Sequence, residues 1–358
     1  MRKSFRVIDT GLRDGRANIA FDQAMIDLHR QGAIPDTFRF LQFRPSALVG
    51  RHQALSREIH LDYCRAHNIQ LVRRITGGGA LYMDSGQFGY EMVFHRNTLG
   101  LNSLTDLARV ICEAAAAGLQ NLGIKANYRP RNDIEVDGRK ISGTGGFFDG
   151  DTLIYQGTLL VDMDPATMLA ALNVPQAKLA KRSLDSAQQR VVTLRELMGA
   201  KLPAIDDIKA AMLRGFAQSL NIEFTKGAIS PQEETLAQHL CDTEIGTDDF
   251  VFELDDPAGQ AGVRSASHHG QGGTISAHLR LEDSRIREVL FTGDFFVTPP
   301  RVILDLEGSL RGTPWRDAPT NIAAFFQTAQ IGLLSARPEE FAQALTAAAL
   351  SEEMSVTH

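Results

Sequence analysis

The sequence predicts an α+β fold in two domains, residues 1–245 and 246–358, on three observations. Segments of strand and helix character alternate irregularly and include hairpins, which fits a mixed sheet better than a repeating strand-helix-strand unit. The chain has 358 residues, 43% of them hydrophobic and 22% charged, which exceeds one average domain and can bury a sizeable core. A mostly polar stretch, Gly227 to Thr247, precedes a second block of strands and helices.

The elements follow in order. A short strand is expected around Phe5 to Ile8. Phe21, Ala24, Met25 and Leu28 then recur at helical spacing, giving an amphipathic helix from about Asn18. Phe38 to Phe43, Ala47 to Val49 and Gln70 to Arg73 read as strands punctuated by Pro45 and Gly50, and Gly86 to Phe94 as another. Ser103 and Asp106 form a capping pair for a helix to Leu122 whose alanine run implies close packing on a flat surface. Beyond residue 245, Ile275, Ala277, Leu279 and Leu281 alternate with polar residues. A turn at Glu282 to Ser284 leads to a second strand, Ile286 to Phe291. Helices follow at Pro300 to Leu310, Thr320 to Gln330 and Pro338 to Leu350, so a small sheet covered by helices is expected.

Composition narrows the function classes. The formal charge of -6 comes from interspersed acids and bases, with no basic block to bind nucleic acid. Cys64, Cys112 and Cys241 are far apart, forming neither a disulfide framework nor a zinc spacing, which fits a reducing cytoplasm. The N-terminus has no long apolar region and no stretch approaches a membrane span, so neither export nor membrane insertion is expected.

Two constellations carry chemistry. In Arg73-Arg74-Ile75-Thr76-Gly77-Gly78-Gly79-Ala80-Leu81-Tyr82, the glycines let backbone N–H groups approach an anion, and the arginines add forked donors. A surface turn with a solvated arginine pair would also account for it; it is not a Walker A loop, because no GKS or GKT follows. In Asn132-Asp133-Ile134-Glu135-Val136-Asp137-Gly138-Arg139-Lys140-Ile141-Ser142-Gly143, Asp137-Gly138 signals a two-residue type I′ hairpin. That turn would pair Val136 with Arg139, Glu135 with Lys140 and Ile134 with Ile141. It would place Asp133, Glu135, Lys140 and Ser142 on one face. A cross-strand salt bridge explains Lys140 as well as a functional role does. The small residues that follow, Gly143-Thr144-Gly145-Gly146 and then Gln156-Gly157-Thr158, leave room for a ligand beside it.

The runs RRITGGGALYMDSGQFGYEMVF, NDIEVDGRKISGTGG and YQGTLL, in that order, resemble the signature segments of lipoate-protein ligases. These belong to the biotin/lipoate ligase superfamily, whose catalytic domain resembles class II aminoacyl-tRNA synthetases. Asn18 to Asp22 resembles the family's first helix, Gly50 to Gln53 a loop, and Lys178-Leu179 with Arg190 to Leu194 its distal motif. GGTISAHLRLEDSRIREVLFTGDFFVTPP and DLEGSLRG are similar to the family's accessory domain. The resemblance implies a catalytic domain over 1–245 and an accessory domain over 246–358.

It further implies that ATP drives formation of an acyl-adenylate from lipoate or octanoate, followed by transfer to a lysine of a lipoyl carrier. The carrier would be an E2 lipoyl domain, a glycine-cleavage H protein or a dedicated lipoate-binding protein. By the same resemblance Lys140 is the catalytic lysine. Arg74 and the Gly79, Ala80, Leu81 and Tyr82 segment contact ATP and adenylate, with Gly77 and Gly78 shaping that loop. Asp133, Gly143 and Thr144 complete the expected binding residues. Mg²⁺ would arrive with the ATP phosphates, Asp133 being a candidate ligand. Departures are Thr76 for a common Ser, Met83 for His, Gly145 for Ala and Gln156 for the His often found before GTLL.

Three rivals remain at this level. An octanoyltransferase works without ATP and needs a nucleophilic cysteine, which none of the three cysteines supplies by position. A biotin-protein ligase has a different glycine loop. A non-catalytic lipoyl-carrier-binding protein would not need Lys140 and Arg74. His268-His269 lacks a third ligand and reads as a solvated loop.

Overall fold

The computed structural model describes residues 2–101, 103–130, 132–173, 190–270, 273–328, 332–333 and 336–351. Its chain divides into two compact units. The first comprises Met1–Leu48, Ile59–Arg73 and Leu81–Val251, and the second Val49–Glu58, Arg74–Ala80 and Phe252–His358.

The first unit is built on an eight-stranded sheet. Its strands run in the order Ile222–Lys226, Lys3–Arg13, Thr37–Phe43, Gln87–His95, Thr152–Leu160, Arg139–Asp149, Asp133–Val136 and Asn127–Arg129. Lys3–Arg13 pairs in parallel with both neighbours; the remaining pairs described are antiparallel, as hairpin-rich sequence leads one to expect. One face carries Phe38, Tyr90, Thr144 and Tyr155 under the helices Leu104–Gln120 and Ile205–Ser219. Ser103 caps the first of these by accepting from Asp106 N, as its sequence predicts. A Cβ on Gly118 would lie 2.7 Å from Met212 Cα, so the alanine-glycine run serves close helix contact as well as the sheet.

The opposite face meets the helix Gly15–Arg30, which begins three residues before the expected Asn18. Asn18 and Asp22 are buried on it, and both bond to Arg39. The first strand is also longer than expected, Lys3–Arg13 against Phe5 to Ile8, because pairing with two neighbours extends it past its apolar centre.

The second unit holds a three-stranded sheet, Arg264–Gly270, Gly273–Glu282 and Arg285–Gly293. Asp283 and Ser284 take φ of 47° and 64° in the expected turn. Ile275, Ala277, Leu279 and Phe291 pack with the helices Val302–Leu310 and Pro338–Leu350 in one core. A third helix, Ala318–Thr328, stands where Thr320 to Gln330 was expected, Gln330 lying outside the described residues. His268 and His269 sit on the strand Arg264–Gly270, not on a loop; cross-strand pairing with Ile275 and Thr274 places them there.

Candidate functional site

Asp137 and Gly138 take φ of 50° and 77°, the two left-handed positions of the expected tight turn. Val136 pairs with Arg139 and Glu135 with Lys140, as the turn dictates. The register then slips, so that Ile134 pairs with Ser142 and Asp133 with Gly143, and not Ile134 with Ile141 as expected. Ile141 is the extra residue of a β-bulge, which resets the alternation of every side chain after it.

The bulge decides what faces Lys140. Ser142, expected beside it, turns to the helix-covered face, where its hydroxyl lies 3.1 Å from Tyr90 Oη. Thr144, expected on the ligand side, also turns away. Its hydroxyl donates to Asn132 O at 3.0 Å and lies 2.7 Å from Tyr155 Oη. On the face of Lys140 remain Gly143 and Gly145, with Thr158 Oγ1 3.5 Å from Gly143 N and O. The lysine leans over this glycine floor: a Cβ on Gly143 would lie 2.5 Å from Lys140 Nζ. Its ammonium is 2.7 Å from Asp133 Oδ1, whereas Glu135 lies 3.6 Å from Arg129.

The Lys140 peptide is gripped from both sides. Its N–H donates to Arg190 O at 2.8 Å, and Val192 N–H donates to its carbonyl at 2.9 Å. The segment Arg190 to Leu194, marked by resemblance, thus fixes the backbone under the lysine; Lys178 and Leu179 lie outside the described residues.

One row along the same face is a charged ring that sequence reading missed. Arg39, Glu91, Gln156 and Gly145 are register partners across four strands. Arg39 Nη1 donates to Asp22 Oδ1 (2.6 Å) and Glu91 Oε1 (2.9 Å), and Gln156 Nε2 to Asp22 Oδ2 (2.7 Å) and Glu91 Oε2 (2.6 Å). Burial, reinforced by Glu91, holds the Asp22 carboxyl well above the usual carboxylate range. The available signal was a charge inside each of two apolar strands, Phe38-Arg39-Phe40 and Tyr90-Glu91-Met92. Gln156→Leu should cost about 2 kcal/mol, because two buried carboxyl groups each lose a hydrogen-bond partner. Denaturant melts check this, and a cost below about 0.5 kcal/mol, the level of an indifferent surface change, would refute the ring's weight.

Within the second unit, Arg74 is buried and serves the glycine loop. Its Nη2 donates to Gly77 O and Gly79 O, both at 3.0 Å, and its Nε reaches Thr76 Oγ1 at 3.4 Å. Burial lowers the guanidinium to about 10, still charged at neutral pH. Arg51 N donates to Thr76 O, and Gly78 N to Phe295 O. With these carbonyls drawn inward, the N–H groups of Gly77, Gly79 and Ala80 make no hydrogen bond to the described residues. Such a set of backbone donors has the chemistry to cradle an anion. In the first unit, Leu81 and Tyr82 continue into the strand Leu81–Met83, and burial pushes the Tyr82 phenol to about 12.

Burial disfavours the thiolate form of all three cysteines. Burial pushes Cys64 and Cys112 up to about 11 and raises Cys241 as well, and Cys112 Sγ lies 3.2 Å from Thr144 Oγ1 on the helix-covered face. Among the described residues no cluster of three or more His, Cys, Asp or Glu could hold a metal ion, and no helix is long and apolar enough to cross a membrane.

Residues 14–217 match the family model of the lipoyl protein ligase A/B catalytic domain. The chain belongs to that family. Within it, the bi-partite lipoate protein ligase of Thermoplasma acidophilum, described alongside its E2 lipoyl domain as an archaeal lipoylation system, is 27% identical with a TM-score of 0.63. That match covers 71% of this chain and 98% of the other. A lipoate-protein ligase A bound with ATP is also 27% identical, at a TM-score of 0.61, over 71% of this chain and all (100%) of the other. Octanoyltransferase LipM of Brevibacillus brevis is 27% identical over 273 residues, 69% of this chain and 98% of LipM. This lipoyl protein ligase A/B family member is therefore an enzyme of the lipoate ligase and octanoyltransferase group, with an α+β fold shared with lipoate ligases.

Proposed function

We propose that the protein is an ATP-dependent lipoate-protein ligase, with residues 1–245 as its catalytic domain and 246–358 as its accessory domain. A lipoate or octanoate carboxylate attacks the α-phosphorus of ATP, and pyrophosphate leaves. The ε-amine of a carrier lysine then attacks the acyl carbon of the mixed anhydride, and AMP leaves. The carrier is a lipoyl carrier protein such as an E2 lipoyl domain.

The observation that carries this reading is the setting of Lys140, a cation fixed over a glycine floor by a bulge and by Asp133. Two anions must approach one another in the first step, and a preorganised ammonium stabilises the charge that develops. The backbone donors of Gly77, Gly79 and Ala80 fit nucleotide phosphates, and Arg74 holds them in shape. Mg²⁺ would arrive with the ATP phosphates, with Asp133, now paired with Lys140, as its candidate protein ligand.

Octanoyltransferase is the competing reading, favoured by the likeness to LipM. Against it stand three thiols raised by burial, of which Cys112 lies on the helix-covered face away from Lys140. For the ligase stand the relative bound with ATP and the bi-partite relative described alongside its E2 lipoyl domain, each matching 71% of this chain. The test is pyrophosphate release from ATP with lipoate or octanoate, followed by acylation of a panel of purified carriers. ATP-dependent pyrophosphate release with carrier acylation supports the ligase. Acylation from octanoyl-carrier protein without ATP would identify the transferase, and carrier binding with neither reaction a non-catalytic binder.

A further inference from the structure

The glycines of the Arg74 loop have a second reason to be glycine. If Gly77 and Gly78 served only to admit a ligand, a Cβ on each would point into open space. Instead, a Cβ on Gly77 would lie 2.2 Å from Phe295 O, and one on Gly78 2.5 Å from Phe296 Cζ. Gly78 also takes φ of +95° and donates its N–H to Phe295 O at 3.3 Å. Gly79 differs, since its Cβ would meet only Asp294 Cβ at an ordinary 3.8 Å.

The turn that presses on the loop is itself braced. Gly293 N donates to His52 O at 2.9 Å, the His52 and Phe295 rings stack at 4.9 Å, and Asp294 Oδ1 accepts from Thr274 N at 2.5 Å. On its other flank the loop meets Gly50, where a Cβ would lie 2.0 Å from Gly78 O. All these residues belong to the second unit. Arg74 gathers the loop carbonyls from inside, while Phe295 and Phe296 set its outer contour.

We propose that the turn Asp294 to Phe296 is the mould of the nucleotide loop, with Phe295 and Phe296 as positioning residues that hold its backbone donors in register for the phosphates of ATP. The proposal rests on the ligase reading and deepens it: it assigns nucleotide affinity, and not acyl affinity, to a segment more than two hundred positions from the glycines. A displacement of about 1 Å in such a cradle can cost on the order of a hundredfold in rate, so loss of a ring that sets its contour should be visible kinetically.

The experiment measures KM for ATP in lipoyl-adenylate formation, the dissociation constant for lipoate without nucleotide, and thermal melting. The variants are Phe296→Ala, Phe296→Leu, Gly78→Ala and the double Gly78→Ala/Phe296→Ala. Phe296→Ala should raise KM for ATP about tenfold or more, with lipoate affinity within about twofold, and Phe296→Leu should restore most of it by refilling the space. Gly78→Ala meets backbone strain at φ +95° as well as the ring, so it reads the contact only through the double variant, and Phe296→Leu carries the test should Phe296→Ala melt. The double variant should be impaired by at least about threefold less than the product of the singles, because the added methyl no longer meets a ring. An unchanged KM in Phe296→Ala, strictly multiplicative effects, or a lowered KM that marks the ring as a plug would each overturn the proposal. If the unaltered protein forms no adenylate from ATP, it is the ligase reading that fails.

Discussion

Lys140→Ala should remain folded yet lose acyl-adenylate formation and acyl transfer by roughly a hundredfold to a thousandfold, the usual consequence of removing one preorganised charge from a developing anion. Its partner Asp133 is half-buried and the lysine side chain is 35% exposed, so the pair itself contributes about 1 kcal/mol or less to stability. Structure and chemistry therefore separate at this residue. Lys140→Arg should not rescue activity. The ammonium sits so close above Gly143 that a single added carbon there would already collide with it, and a planar guanidinium is bulkier than a compact ammonium. Single-turnover lipoyl-adenylate formation, and transfer from preformed adenylate, measure both variants. Near-normal rates in Lys140→Ala would leave only a cross-strand salt bridge and remove the proposed mechanism.

The same hairpin shows what a sequence makes legible and what it hides. Asp137-Gly138 specifies its turn through local backbone preference, and the first two pairs follow from it. The bulge at Ile141 depends on tertiary demands: Ile141 and Ile134 are both fully buried, and the chain must also offer Ser142 and Thr144 to the helix-covered face. No local pattern announces it, so Ser142 and Thr144 were expected on the wrong side. The ring of Asp22, Arg39, Glu91 and Gln156 joins residues from one helix and three strands, and only sheet order brings them together. Gln156 stood out in the sequence as a departure from a resembled motif. Its partners did not, because pairing between distant strands cannot be read from spacing. The glycine loop was legible as an anion site, whereas its contact with Phe295 and Phe296 spans too much chain to leave a local signature.

Arg74→Ala should damage the protein twice. As a surface phosphate ligand, Arg74 could be removed at little cost to the fold; buried as it is, with Nη2 on Gly77 O and Gly79 O, it cannot. Hydrogen bonds from a charged donor to carbonyls contribute about 1.5–3 kcal/mol, so the loss of this set should lower stability by about 3 kcal/mol. The freed carbonyls would no longer hold the loop backbone in place, and KM for ATP should rise by roughly a hundredfold as the loop loses its shape. Arg74→Lys should recover part of the stability, because one ammonium can reach a carbonyl. It should recover little of the ATP affinity, because a point donor cannot span Gly77 O and Gly79 O as the fork does. Denaturant melts and adenylation kinetics on both variants decide the matter. Loss of ATP affinity with unchanged stability would identify Arg74 as a direct phosphate ligand in place of the loop's internal brace, and unchanged values of both would remove it from the site.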